Sequence, residues 1–127
     1  MTIAYWCVLV AIFLPFAFTG FAKFQGGFGP KQNHNPREFL EGLQGARKRA
    51  HWAQINSFEV NPAFFVAVVA AHQIGTLAQG TIDGLAVAFI ASRILFGIFY
   101  ITDKAELRSL VWFAGMGMIA ALFVMSA

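Results

Sequence analysis

Glu59 and Arg93 are charged residues set deep in otherwise apolar stretches. A carboxylate or guanidinium inside hydrocarbon costs about 3 kcal/mol or more, and such groups are kept where they pair or serve a site. Each lies ten residues from a charge at the end of its stretch, Glu59 from Arg49 and Arg93 from Asp103. On helices that offset is about 15 Å of depth. If the two helices run antiparallel, the charges lie at one level and are expected to pair. Arg49, Trp52, Asn56 and Glu59 follow at spacings of three and four, so they form one helical stripe. Arg93 and Tyr100 are seven apart and share a face of the next helix, while Arg108 and Ser109 open the last one. Together they predict a polar cleft between helices, with its mouth at the water edge. Glu59, Asn56 and Arg93 suit helix pairing. Arg49, Tyr100 and Arg108, nearer water, suit a ligand.

The elements that must position these groups are readable from composition. The chain has 127 residues, 58% hydrophobic and 12% charged, against about 25% charged in a soluble domain. Its mean hydropathy is +0.65. Phe supplies 15 aromatics, Trp three and Tyr two. One cysteine, Cys7, excludes a disulfide scaffold, and the apolar mass excludes disorder. The runs are continuous rather than alternating, which argues against a β-barrel. A membrane span needs roughly 20 apolar residues. Four runs meet that need: 2–22, kinked at Pro15; 46–77, with Ala50 onward apolar apart from Glu59 and Pro62; 84–102; and 107–127. The expected fold is an all-α, four-transmembrane-helix bundle forming a single domain over 1–127. The segment 23–45 is the one long connection. Its Gly26-Gly27-Phe28-Gly29-Pro30 reads as a flexible turn, since no Gly-Lys-Ser/Thr follows. Asn35-Pro36-Arg37 then starts a short surface helix through Leu43.

Except for Arg93, the nine basic residues fall in two connections. Lys23, Lys31, Arg37, Arg47, Lys48 and Arg49 lie in or just after the first, and Lys104 and Arg108 at the last. The positive-inside rule places both connections in the cytoplasm and both termini on the other side. The net charge of +3 is met by anionic headgroups and needs no nucleic acid. His72 and Cys7 have no partner at metal-ligand spacing and are expected to pack; His34 and His51 are expected in water. No metal is expected.

The run Arg49-Ala50-His51-Trp52-Ala53-Gln54-Ile55-Asn56-Ser57-Phe58-Glu59-Val60-Asn61-Pro62 resembles the signature of the MAPEG family, membrane-associated proteins in eicosanoid and glutathione metabolism. Asn56, Glu59 and Pro62 match its Asn-x-x-Glu-x-x-Pro core. Arg93, Tyr100 and Arg108-Ser109-Leu110-Val111-Trp112 are similar to the family's third and fourth helices, and Asn35-Pro36-Arg37 is like small bacterial members. The resemblance covers nearly the whole chain. It implies a homotrimer in a bacterial inner membrane, with glutathione bound between subunits as thiol co-substrate and a lipophilic small molecule as acceptor. It places Asn56, Glu59, Arg93 and Tyr100 at the glutathione site, to which Arg49 is added as a ligand-binding candidate from its place near water. Arg108, Ser109 and Tyr100 fall at the catalytic positions, with Arg108 near the arginine that supports the thiolate. A guanidinium beside a thiol favours the anion. The chain departs from relatives at Trp52 and Ile55, where some carry arginine, and at Phe96, where one branch carries histidine.

Two functions stay open on these residues. One is a glutathione-dependent transferase or peroxidase acting on lipophilic substrates. The other is a non-catalytic membrane protein that binds a lipid-like ligand or a partner, its polar groups serving helix packing. A proton or ion carrier would need polar residues through the full depth, and the first run offers only Tyr5 and Thr19.

Overall fold

A computed structural model describes all of residues 1–127. Five α-helices form: α1 (Ile3–Phe24), α2 (Pro36–Glu41), α3 (Gly45–Ile74), α4 (Gln79–Ile101) and α5 (Ala105–Ser126). A single 3₁₀ turn, Gln32–His34, precedes α2. Three helices, α1, α4 and α5, are long and apolar enough to cross a membrane. Of the four spans expected from sequence, the one over 46–77 is not among these three, and the bundle has five α-helices rather than four. α3 is the longest at 30 residues but carries Arg47, Lys48, Arg49, Asn56, Glu59 and Asn61, which lower its hydropathy.

Local chemistry accounts for the helix ends. Thr2 caps α1, its hydroxyl accepting from the Tyr5 amide at 3.3 Å, a contact type that contributes about 1 kcal/mol. α3 stops at Gly75, whose φ of 74° suits the left-handed position, and its amide donates to the Ala71 carbonyl. α4 begins at Gln79, five residues before the expected Gly84. Gln79 Nε2 donates to Asp83 Oδ1 at 2.9 Å, and that oxygen also accepts from the Ala4 amide at 2.8 Å. The polar residues there belong to the first turns of α4 and tie it to the start of α1. His72 completes the same end, stacking on Tyr5 at 4.4 Å with Nε2 3.1 Å from the Thr2 hydroxyl.

α1 packs on α3 and α4, and α5 packs on α4. Ala4, Ala11, Ala67, Ala71 and Ala86 are fully or almost fully buried, and such small residues let helix backbones approach. Phe64 and Phe89 stack at 4.0 Å in the centre. Between α1 and α4 the Phe18 ring fills the space where a β-carbon on Gly97 would stand.

Pro15 has no amide hydrogen, so the Ala11 carbonyl loses its partner within α1. In an apolar surrounding that oxygen needs another donor. Asn61 of α3 supplies it, its Nδ2 donating to Ala11 O at 2.7 Å. Both residues are buried. A defect in one helix thereby becomes a polar contact between two.

Candidate functional site

At the end of the bundle opposite Thr2 and His72, a cleft of about 620 Å³ opens between α3, α4 and α5. This is the size range of small-molecule sites. α3 contributes Trp52, Ile55, Asn56 and Glu59, all on one stripe of that helix. From α4 come Phe96 and Tyr100, one turn apart, and from α5 Arg108, Ser109, Trp112 and Phe113. Five of the seven candidate catalytic and glutathione-site residues thus share one cavity, Asn56, Glu59, Tyr100, Arg108 and Ser109, together with Trp52 of the same stripe. Phe113 was not singled out; it sits one turn after Ser109, and that spacing was the available signal.

Tyr100 is the centre of the wall. Its ring meets the Phe96 ring edge-on at 5.4 Å and lies 6.3 Å from Trp52. The Arg108 guanidinium carbon stands 4.5 Å above it, a cation–π contact that orients the cation without consuming its hydrogen-bond donors. Trp112 and Phe113 pack edge-to-face at 5.1 Å and form an apolar flank beside Arg108. The cleft therefore sets a cation next to an apolar aromatic wall. That arrangement suits a ligand with one anionic atom and an apolar partner.

Arg93 lies beneath the cleft, 2% exposed. Its Nη2 donates to Asn56 Oδ1 at 2.9 Å and to Ser57 Oγ at 3.1 Å. Its Nε has no hydrogen-bond partner, and its guanidinium carbon is 4.2 Å from the Phe96 ring centre. The expected direct pair with Glu59 is replaced by a relay, because Asn56 Nδ2 in turn donates to Glu59 Oε2 at 3.3 Å. The reason is angular. Glu59 is on the exposed side of α3 and Ser57 on the buried side, with half-buried Asn56 at the boundary. Ser57 is not among the residues expected from sequence, although it extends the buried row Ala50, Ala53, Ser57.

Arg49 is placed differently from the expected ligand contact. Its Nε and Nη2 both donate to the carbonyl of Ile101, at 3.2 and 3.0 Å. Its two neighbours behave alike. Arg47 Nη1 donates to the Gln25 carbonyl just past α1, and Lys48 Nζ to the Leu40 and Glu41 carbonyls ending α2. Helix C-termini carry unpaired carbonyls and partial negative charge, which cations satisfy. The triplet at the start of α3 thus caps three other helices. No cluster of three or more His, Cys, Asp or Glu side chains could hold a metal ion.

The family model that matches this chain is that of the MAPEG family, over residues 3–127. No curated protein and no solved structure matches it.

Proposed function

The chain belongs to the MAPEG family of membrane proteins, and from that premise we propose a glutathione-dependent transferase or peroxidase acting on lipophilic substrates at this cleft, with conjugation of glutathione to an electrophile as the transferase reaction. The observation that carries the reading is the Arg108 guanidinium, held over Tyr100 beside the Trp112–Phe113 wall. The cation stabilises the glutathione thiolate, releasing the thiol proton to water. The thiolate sulfur attacks an electrophilic carbon lodged against the aromatic wall, a carbon–sulfur bond forms, and the leaving group departs as an anion. Tyr100 orients Arg108, and the exposed Ser109 hydroxyl lies beside it as a second donor. Asn56 and Glu59 supply polar contacts for the peptide, Glu59 toward its ammonium. Arg93 serves the site through Asn56.

The same premise gives four membrane spans, α3 among them, and a homotrimer in a bacterial inner membrane. The exposure of Glu59 within a span supports this assembly, because a neighbouring subunit would shield the carboxylate from lipid. The test is conjugation of a chloronitroaromatic with glutathione by the purified oligomer, together with the ultraviolet absorbance of bound thiolate. Arg108→Ala is expected to abolish both while the oligomer stays intact. An intact wild-type oligomer with neither thiolate nor turnover would refute the proposal.

A second reading is favoured by the Arg93–Asn56–Glu59 relay, which uses these groups on one another. Here the protein is non-catalytic, binds a lipid-like ligand, and its polar residues hold helices together. Glu59→Gln and Arg93→Ala would then break the oligomer. Intact oligomers from both variants count against it.

A further inference from the structure

Tyr100 and Arg108 flank the tight corner between α4 and α5, and the end of α4 is closed by two backbone hydrogen bonds. The Lys104 amide donates to the Phe99 carbonyl at 2.8 Å and the Asp103 amide to the Tyr100 carbonyl at 3.2 Å, with Asp103 left-handed at φ 61°. This pair of bonds is the Schellman closure. It satisfies Phe99 and Tyr100 and leaves the carbonyl of Ile101 without a backbone partner. Arg49, 52 residues earlier, places two donors on that one oxygen. Its own backbone is fixed, because the adjacent Ala50 is fully buried among Ala22, Leu40 and Leu43. Ile101 packs against the same cluster.

We infer that Arg49 is a positioning residue rather than a ligand contact. By holding the last carbonyl of α4 it fixes Tyr100, and through the Tyr100 ring it aims Arg108 into the cleft. This rests on the catalytic reading of Arg108 given above. The path is short: Ile101 follows Tyr100 directly, and a three-residue turn, Thr102 to Lys104, joins α4 to α5. The Arg108 amide donates to the Lys104 carbonyl at 2.9 Å, so the start of α5 moves with that turn. Once the Ile101 carbonyl is released the corner can fray. Arg108 then loses the ring that orients it, without any change at a residue lining the cleft.

The chain contains two tyrosines, Tyr5 and Tyr100, at opposite ends of the bundle. Full-length protein labelled with 3-fluorotyrosine therefore gives two ¹⁹F resonances, assigned with Tyr100→Phe. Arg49→Ala is expected to shift or broaden the Tyr100 resonance and leave Tyr5 in place. In conjugation assays kcat should fall by about 100-fold, the scale on which misplaced groups lose rate, with KM within about threefold of wild type. Arg49→Lys keeps a single donor group and is expected to lose about tenfold in kcat with a smaller spectral change. It also provides the reading if Arg49→Ala does not assemble. Arg47→Ala removes the same charge from the same turn but releases the end of α1, and should leave Tyr100 unshifted. An unmoved Tyr100 resonance in assembled Arg49 variants overturns the inference. So does a raised KM with kcat retained, which marks a ligand contact. Absence of turnover in wild-type protein refutes the thiol chemistry alone, because the Tyr100 resonance still decides the role of Arg49.

Discussion

Removing Asn56 and removing Arg93 are unequal operations at the scale of single residues. Asn56→Leu leaves a buried guanidinium with one acceptor fewer, and stability should fall by about 2–3 kcal/mol. Arg93→Met removes the charge itself and fills its space. Ser57 keeps its bond to the Ala53 carbonyl and Asn56 keeps Glu59, so the loss should stay within about 1 kcal/mol. Equilibrium unfolding in detergent micelles measures both, and a costlier Arg93→Met would show the relay to be misread. What sequence made legible here was depth. The ten-residue offsets put Glu59 and Arg93 at one level, but the face each side chain takes depends on which side of α3 its neighbours bury. Arg49 was harder still. A cation at the water edge reads alike whether it meets a ligand or a helix end, because its acceptor is a backbone carbonyl that every residue carries.

At the scale of helices, two contacts make linked predictions. Asn61→Leu strands the Ala11 carbonyl and should cost about 1–2 kcal/mol. Pro15→Ala restores an amide hydrogen to α1 and should remove most of that cost. The double-mutant cycle is therefore expected to show coupling of about 1–2 kcal/mol, whereas additive effects would exclude the link. Gly97→Ala drives a methyl group into the Phe18 ring and should cost about 1–3 kcal/mol, with Phe18→Leu as the compensating change. Helix content was legible because uncharged runs of this length have few alternatives. The Pro15 interruption was visible too. Its remedy was not, since Asn61 lies 46 residues later on another helix and nothing local distinguishes it from a surface amide. The early start of α4 is illegible for a related reason: Gln79 and Asp83 read as loop residues until Ala4 is set against them.

At the scale of the whole molecule, the distribution of lysine and arginine predicts both termini on the non-cytoplasmic side. Alkaline phosphatase fused after Ala127 should be active in cells and a fluorescent protein at the same place dark; the reverse result would invert the topology. The all-α membrane class was the most legible feature, since the bilayer admits few solutions to so apolar a chain, whereas the number of spans was not. Five of the candidate site residues line one cleft, a grouping that helical spacing made legible, while their contacts were not. The basic triplet at the start of α3 also has a history during synthesis. The carbonyls taken by Arg47 and Lys48, at Gln25, Leu40 and Glu41, leave the ribosome before their donors do. The carbonyl taken by Arg49 is made 52 residues later. The Arg49 guanidinium thus waits for its acceptor through the synthesis of α3 and α4. Docking of that group on Ile101 closes the α3–α4 side of the cleft, and the α5 wall, from Arg108 to Phe113, is made only afterwards.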